Sequence, residues 1–219
     1  NLHWKDKAGN DLTIIPFVEM VKRHFPSTPV AMTNDANAAA LGEMYYGGAK
    51  GMQDFLVITL GTGLGSGFVS KGDVIYGHDS FAGELGHIVI SVGGRQCSCG
   101  RCGCWEAYSS ATGLIRTTKE KLEECAKTGR ETAMTKLVET AGKVSGRTAF
   151  DGMRLGDAAA TEVVNEYVEY LASGLASMIN IFQPEVISIG GGISNEGQYL
   201  LDLVVPAVHA QIYGKGVVP

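Results

Sequence analysis

Apolar and polar residues alternate along the chain in two periods, and each period predicts its own kind of element. Residues 16–25 have helical spacing, and residues 36–46 form an alanine-rich stretch that predicts a second helix. Between them Val30-Ala31-Met32-Thr33 reads as a strand, which puts Asn34 and Asp35 at a strand-to-helix junction. Phe55-Leu56-Val57-Ile58-Thr59-Leu60 has the near-continuous apolar character of a buried strand. It runs into Gly61-Thr62-Gly63-Leu64-Gly65-Ser66-Gly67, beyond which Phe68-Val69-Ser70 and Val74-Ile75-Tyr76 resume extended structure and predict a glycine-rich hairpin. Residues 105–127, 131–143 and 158–182 read as helices, the last with several alanines and a glycine that permit close packing. Val186-Ile187-Ser188-Ile189 predicts another strand, meeting Gly190-Gly191-Gly192. Residues 199–213 predict a closing helix with a break or kink at Pro206. Strands alternating with helices argue for an α/β architecture.

Composition narrows what such a fold does. A chain of 219 residues, 45% hydrophobic, accommodates one large domain or two lobes with a real core. No apolar run approaches the roughly 20 residues of a membrane span. A net charge of -5 without a basic stripe leaves no footprint for nucleic acid. Neither a membrane nor a nucleic acid is expected as a partner.

The cysteines add chemistry. Four of the five crowd one loop, with His87 shortly before them and Glu106 just after. His87, Cys97, Cys99 and Cys104 offer one imidazole and three thiols, a set that suits a closed, tetrahedral, structural zinc. Cys102 is a spare thiol that competes as a ligand, and Cys125 lies apart in a lysine- and glutamate-rich stretch. The competing reading is a disulfide cluster or ordinary buried thiols. An odd cysteine count and no signal-like opening segment favour a cytosolic protein and hence the metal. A zinc here pins a loop that carries Glu84 and Glu106.

The glycine runs carry a second chemistry. Closely spaced glycines in residues 60–67 let backbone N–H groups approach a phosphate, and Thr62 adds a hydroxyl. The run lacks the lysine of a P-loop and does not open a helix as a dinucleotide fingerprint does. A ligand-free tight turn accounts for the same glycines. Gly190-Gly191-Gly192 is a second junction where backbone comes close to a nucleotide or to a packed helix. Asp35 is a carboxylate at a scaffold rim, and helix N-capping alone also explains an aspartate there.

Four motifs together resemble the ROK family of sugar kinases, most nearly its bacterial glucokinase-like members. They are Asn34-Asp35-Ala36-Asn37-Ala38-Ala39-Ala40-Leu41-Gly42-Glu43, the run from Leu60 to Gly67, the Gly83-Glu84-Leu85-Gly86-His87 and cysteine loop through Glu106, and Ile189-Gly190-Gly191-Gly192-Ile193-Ser194. The resemblance implies an actin-like ATPase (ribonuclease H-like) fold of two lobes, with hexose and ATP meeting in the interlobe cleft. It divides the chain into residues 1–33, the remainder of an N-terminal lobe, and 34–219, the C-terminal lobe. Asp35 is then the general base that takes a hexose hydroxyl proton, and Asn34, Asp35, Glu84, His87 and Glu106 hold the sugar. Gly61, Thr62 and Gly63 surround the transferred phosphate, whose charge Mg2+ also neutralises, and Gly190, Gly191 and Gly192 face the adenosine. His87 serves both zinc and sugar.

The family carries an Asp-x-Gly-Gly-Thr-like loop that binds ATP phosphates, and no such sequence occurs here. The N-terminal lobe is therefore expected to be incomplete in this chain, and the residues alone to make a poor kinase. The resemblance further implies phosphorylation of glucose to glucose 6-phosphate by a cytoplasmic homodimer. Kinases for fructose, allose, N-acetylglucosamine or N-acetylmannosamine share the scaffold. A ROK-type sugar-sensing transcriptional regulator, or a purely structural zinc protein, would come from other functional classes.

Overall fold

The computed structural model describes residues 16–214, and its contacts divide the chain between Asn34 and Asp35. The first unit contributes helix α1 (Phe17–His24), with Glu19 in its first turn and Lys22, Arg23 and His24 in its last, the charge order that a helix dipole favours. The strand expected at Val30–Thr33 does not form. Strands exist by pairing, no strand pairs with these residues among those described, and Met32 is exposed.

The second unit is built on a mixed sheet of four strands in the order β3-β2-β1-β4. Strand β1 (Phe55–Leu60) is apolar at nearly every position because both its faces are covered. It pairs antiparallel with β2 (Leu64–Ser70) and parallel with β4 (Val186–Gly190), while β3 (Asp73–Val74) pairs with β2. Leu64–Gly67 thus belong to β2, so the expected seven-residue glycine loop reduces to a turn at Gly61–Gly63. Ile75 and Tyr76 lie outside the short β3.

Helix α2 (Asp35–Tyr46) lies on this hairpin, and its small residues explain two of the glycines. A Cβ at Gly67 would lie 2.7 Å from Ala36 O and 2.8 Å from the Ala40 Cβ, and one at Gly65 would lie 2.6 Å from Thr59 Oγ1 on β1 and 3.3 Å from the Ala36 Cβ. Gly67 serves the packing of α2, and Gly65 makes room for Thr59 on β1 as well as for Ala36.

The stretch expected as one helix from 105 to 127 is two: α3 (Glu106–Ser109) and α4 (Ala111–Thr128). Ser110 separates them in an extended conformation, and its hydroxyl accepts from Gly113 N as the N-cap of α4. Helix α5 (Ala133–Ala141) is shorter than expected because Thr132 caps it and Gly142 ends it. Helix α6 (Thr148–Arg154) was not anticipated, being too short to show a period.

The longest helix, α7 (Ala158–Phe182), is buried over much of its circumference against α4, α6, α3 and α8 (Gln198–Gln211). Trp105, fully buried, fills the space left by Gly174 on α7, and its indole N–H donates to Tyr170 O at 3.1 Å. Helix α8 runs through Pro206 to Gln211, so the expected break does not occur. No helix among the described residues is long and apolar enough to cross a membrane.

Candidate functional site

At the parallel pair β1/β4, Thr59 stands opposite Gly190, so the Gly61–Gly63 turn and the Gly190-Gly191-Gly192 turn leave the sheet at the same carboxyl edge. Ligands of open α/β sheets gather outside this edge. Gly191 has φ 88, and a Cβ there would lie 2.6 Å from Leu60 C and O, so only glycine lets the two turns approach.

The first turn is fastened from three sides. Gly61 N donates to Gly63 O at 3.0 Å, Ala111 N at the start of α4 donates to Gly61 O at 2.9 Å, and the Thr112 hydroxyl donates to Thr62 O at 2.7 Å. Leu64 N donates to Glu106 Oε2 at 3.0 Å. The N–H groups of Thr62 and Gly63 and the Thr62 hydroxyl make no hydrogen bond among the described residues, and these are the donors left to a phosphate.

Asp35 opens α2, one residue before Ala36, which packs on Gly65 and Gly67. Its Oδ1 accepts from Ala36 N at 2.9 Å, a bond of the capping kind, while Oδ2 makes none among the described residues. Asn34 precedes it in the other unit. Glu84 is exposed, and both its neighbours are tied to β2 through one hydroxyl: Ser66 Oγ donates to Gly83 O and accepts from Leu85 N at 3.0 Å.

His87 ends a 3-10 turn, Leu85–His87, and meets the cysteine loop. The ligand atoms of His87, Cys97, Cys99 and Cys104 all lie within 4.8 Å of one another. His87 Nδ1 is 3.6 Å from Cys97 Sγ, and Cys99 Sγ is 3.7 Å from Cys104 Sγ. Bonds of about 2.0–2.3 Å to a tetrahedral zinc need ligand separations of about 3.4–3.8 Å; these two pairs meet that spacing, and the set as a whole, gathered within 4.8 Å, has the donor chemistry for that ion. Backbone bonds build the loop: Cys97 N donates to Arg101 O at 2.9 Å and Gly100 N to Cys97 O at 3.1 Å.

All five cysteines are free thiols, so the disulfide alternative is not realised. Cys102 stays out of the cluster, its thiol turned to Gln96 Oε1 at 3.5 Å, and Cys125 is buried in the core. Burial pushes the Cys104 thiol up to about 12, with Cys99 and Cys97 adding to the effect. The Arg101 backbone N–H holds Cys99 below its ordinary value. A metal binding here would displace the Cys104 proton.

Glu106 joins the parts. Beyond Oε2 on Leu64 N, its Oε1 accepts from the Ser98 hydroxyl at 3.2 Å and lies 3.8 Å from Cys97 Sγ. Beside it opens a cavity of about 370 Å³ whose walls include Thr62, Gly63, Ser98, Thr112 and Arg116. Asp35, Glu84 and His87 do not line this cavity. Ser66, Thr112 and Arg116 were not singled out in the sequence. Thr112 and Arg116 are four residues apart on α4, a spacing that puts them on one helix face and was the available signal.

The sequence profile of the ROK family matches residues 7–218. A glucokinase of Halalkalibacterium halodurans is 41% identical over 174 residues, which are 79% of this chain and 52% of the relative. A putative xylose repressor of a Caldicellulosiruptor species is 31% identical over 215 residues, 98% of this chain and 49% of the repressor. The crystal structure of a ROK family glucokinase from Streptomyces griseus in complex with glucose and AMPPNP superposes with a TM-score of 0.80. It has 32% identity and covers 93% of this chain and 65% of that one. The chain spans about half the length of the curated relatives it matches. Its α/β fold with a mixed sheet is that of these glucokinases, an actin-like ATPase fold, over part of their length.

Proposed function

The chain belongs to the ROK family, and on that premise we propose that it carries the sugar and phosphate sites of an ATP-dependent hexose kinase, with glucose as acceptor and its 6-hydroxyl as the point of transfer. One observation carries the reading: the hairpin β1–β2, whose turn is Gly61–Gly63, packs against the helix that Asp35 begins and bonds to Glu106. Asp35 is held through Ala36 on Gly65 and Gly67, and Glu106 through its bond to Leu64 N.

In this reading Asn34, Glu84, His87 and Glu106 bind the sugar hydroxyls and fix the 6-hydroxyl in line with the donor. Asp35 takes the hydroxyl proton as the oxygen bonds to the γ-phosphorus, and the bond to the β-bridging oxygen breaks with ADP leaving on the electron pair. Thr62 and Gly63 donate to the phosphoryl oxygens, and Gly190–Gly192 pass under the adenosine. Mg2+ arrives with the nucleotide. His87, Cys97, Cys99 and Cys104 hold a zinc whose contribution is to fix the loop and the His87 ring.

The full-length protein incubated with MgATP and a panel of hexoses, with products read by mass, tests the reading. Glucose 6-phosphate is expected; no turnover with any hexose refutes it.

The repressor's match across 98% of the chain favours a second reading, a sugar-sensing transcriptional regulator. Specific, sugar-reversible DNA binding by the full-length protein without turnover would establish it instead.

A further inference from the structure

Arg116 lies on the wall of the cavity shared by Thr62, Gly63 and Glu106, with 48% of its side chain exposed. Its Nε donates to Glu120 Oε1 at 2.8 Å. The other oxygen of Glu120 accepts from Arg95 Nη2 at 2.8 Å, and Arg95, at the base of the cysteine loop, has only 13% of its side chain exposed. Arg95 is held in turn by the Thr117 hydroxyl at 2.8 Å and by the Tyr108 ring, 4.9 Å beneath it. The chain Arg95–Glu120–Arg116 therefore orients the guanidinium, while Nη1 and Nη2 of Arg116 make no hydrogen bond among the described residues.

Charge says what those donors are for. Glu106 and Arg116 are the charged residues of the cavity wall. A phosphate offered to the free N–H groups of Thr62 and Gly63 comes close to the Glu106 carboxylate, and an unscreened pair of anions there is repulsive. A guanidinium on the same cavity wall offsets that repulsion, and its two Nη groups match the fork geometry of phosphate oxygens. The i,i+4 bond from Nε to Glu120 leaves both Nη groups available to the anion.

We propose that Arg116 is a further substrate-binding residue, contacting phosphate oxygens of the reacting ligands in the cavity that it lines with Thr62 and Gly63. This rests on the kinase reading, and the chemistry is shared by the donor's phosphate chain and the phosphoryl group of the sugar phosphate product.

Steady-state kinetics of full-length Arg116→Ala and Arg116→Lys, with melting temperatures to check the fold, separate the two sources. Loss of a charge-assisted contact corresponds to about a ten- to hundredfold change. A rise of that size in KM for MgATP, with KM for the hexose unchanged and partial recovery in Arg116→Lys, assigns the contact to the donor. The same change in inhibition by hexose 6-phosphate alone assigns it to the product. Unchanged values for both overturn the inference while leaving the kinase reading intact. If the parent protein turns over no hexose, calorimetry with inorganic pyrophosphate still decides. Binding at least tenfold weaker in Arg116→Ala supports the site, and equal or absent binding in the parent and the variant overturns it.

Discussion

Glu106 Oε2 accepts a hydrogen bond from Leu64 N at 3.0 Å, across 42 residues of sequence, so the residue that follows the cysteine loop also closes the turn at the head of β2. The carboxylate has a structural task besides any contact with sugar. Glu106→Ala removes both, and Glu106→Gln keeps an acceptor for Leu64 N while losing the charge. We expect hexose kcat/KM to fall about ten- to hundredfold in either variant, the worth of a charge-assisted hydrogen bond. Only Glu106→Ala should speed amide exchange at Leu64, which hydrogen-exchange mass spectrometry measures. Equal exchange in the two variants would detach the carboxylate from the turn.

Asp35 places one oxygen on the backbone of its own helix and leaves the other without a hydrogen bond among the described residues. Asp35→Asn preserves the first role and removes the proton acceptor. The expected result is a fall in kcat of about 10²–10⁴, the usual worth of a general base, with hexose affinity by calorimetry largely retained. Undiminished kcat would mean that another group takes the proton.

What could be read in advance followed the strength of the local pattern. Residues 158–182 and 55–60 are long or uniformly apolar, and both form as expected. Residues 30–33 have strand-like composition but no pairing partner among the described residues, and pairing is a property of the whole sheet. The glycine run from 61 to 67 looked like one loop because glycine serves anion approach and close packing alike. Only the position of Ala36 and Ala40 over Gly65 and Gly67 separates the two uses. His87, Cys97, Cys99 and Cys104 were legible because their side-chain chemistry is rare and their spacing short. Arg116 was not, since an arginine on an amphipathic helix is commonplace until its neighbour Glu120 is seen to be shared with the distant Arg95.

The zinc assignment has a direct consequence. Metal analysis of protein purified without chelator should give about one zinc per chain, and Cys99→Ser should lower that occupancy. Loss of the ion frees a loop that carries Ser98 and abuts Glu106, so hexose affinity should drop together with protection of the loop from proteolysis. Metal-free protein with full hexose affinity would contradict the role given to the cluster.

Acid stability should depend on Glu162. It accepts from Arg130 Nη2 at 2.9 Å and pairs with Lys121 Nζ at 3.0 Å, linking α7 to α4 and to the residues after it. Hydrogen bonds from Arg130 and then Lys121 lower its carboxyl from the ordinary 4.5 to about 2. A depressed folded value favours the folded state above 4.5, and that contribution drains away as pH falls from 4.5 toward 2. Glu162→Gln lacks it throughout. Thermal melts of both proteins should therefore show the parent's advantage shrinking over that interval, and an advantage that stays constant would deny the pair its linkage.

Gly67 offers a test of the hairpin as the frame of the site, because it touches α2 without being part of any proposed ligand contact. A Cβ at this position would lie 2.7 Å from Ala36 O and 2.8 Å from the Ala40 Cβ, both in the packed face of the helix. Neither atom belongs to a flexible side-chain end, so the helix itself must shift. Gly67→Ala should cost about 1–3 kcal/mol of stability, the range for an overpacked core, measured by denaturant unfolding. Asp35 begins that helix, so its carboxylate moves with it. A fraction of an ångström of misplacement should lower kcat more than KM, because attack geometry is more demanding than binding. Comparing Gly67→Ala with Gly142→Ala isolates the effect. Gly142 caps α5 at φ 70 and has nothing within 4 Å of its Cβ position, so its replacement loses stability through backbone strain without pressing on α2. Both variants should be destabilised, and only Gly67→Ala should lose kcat; an equal loss in both would mean that α2 does not transmit the change.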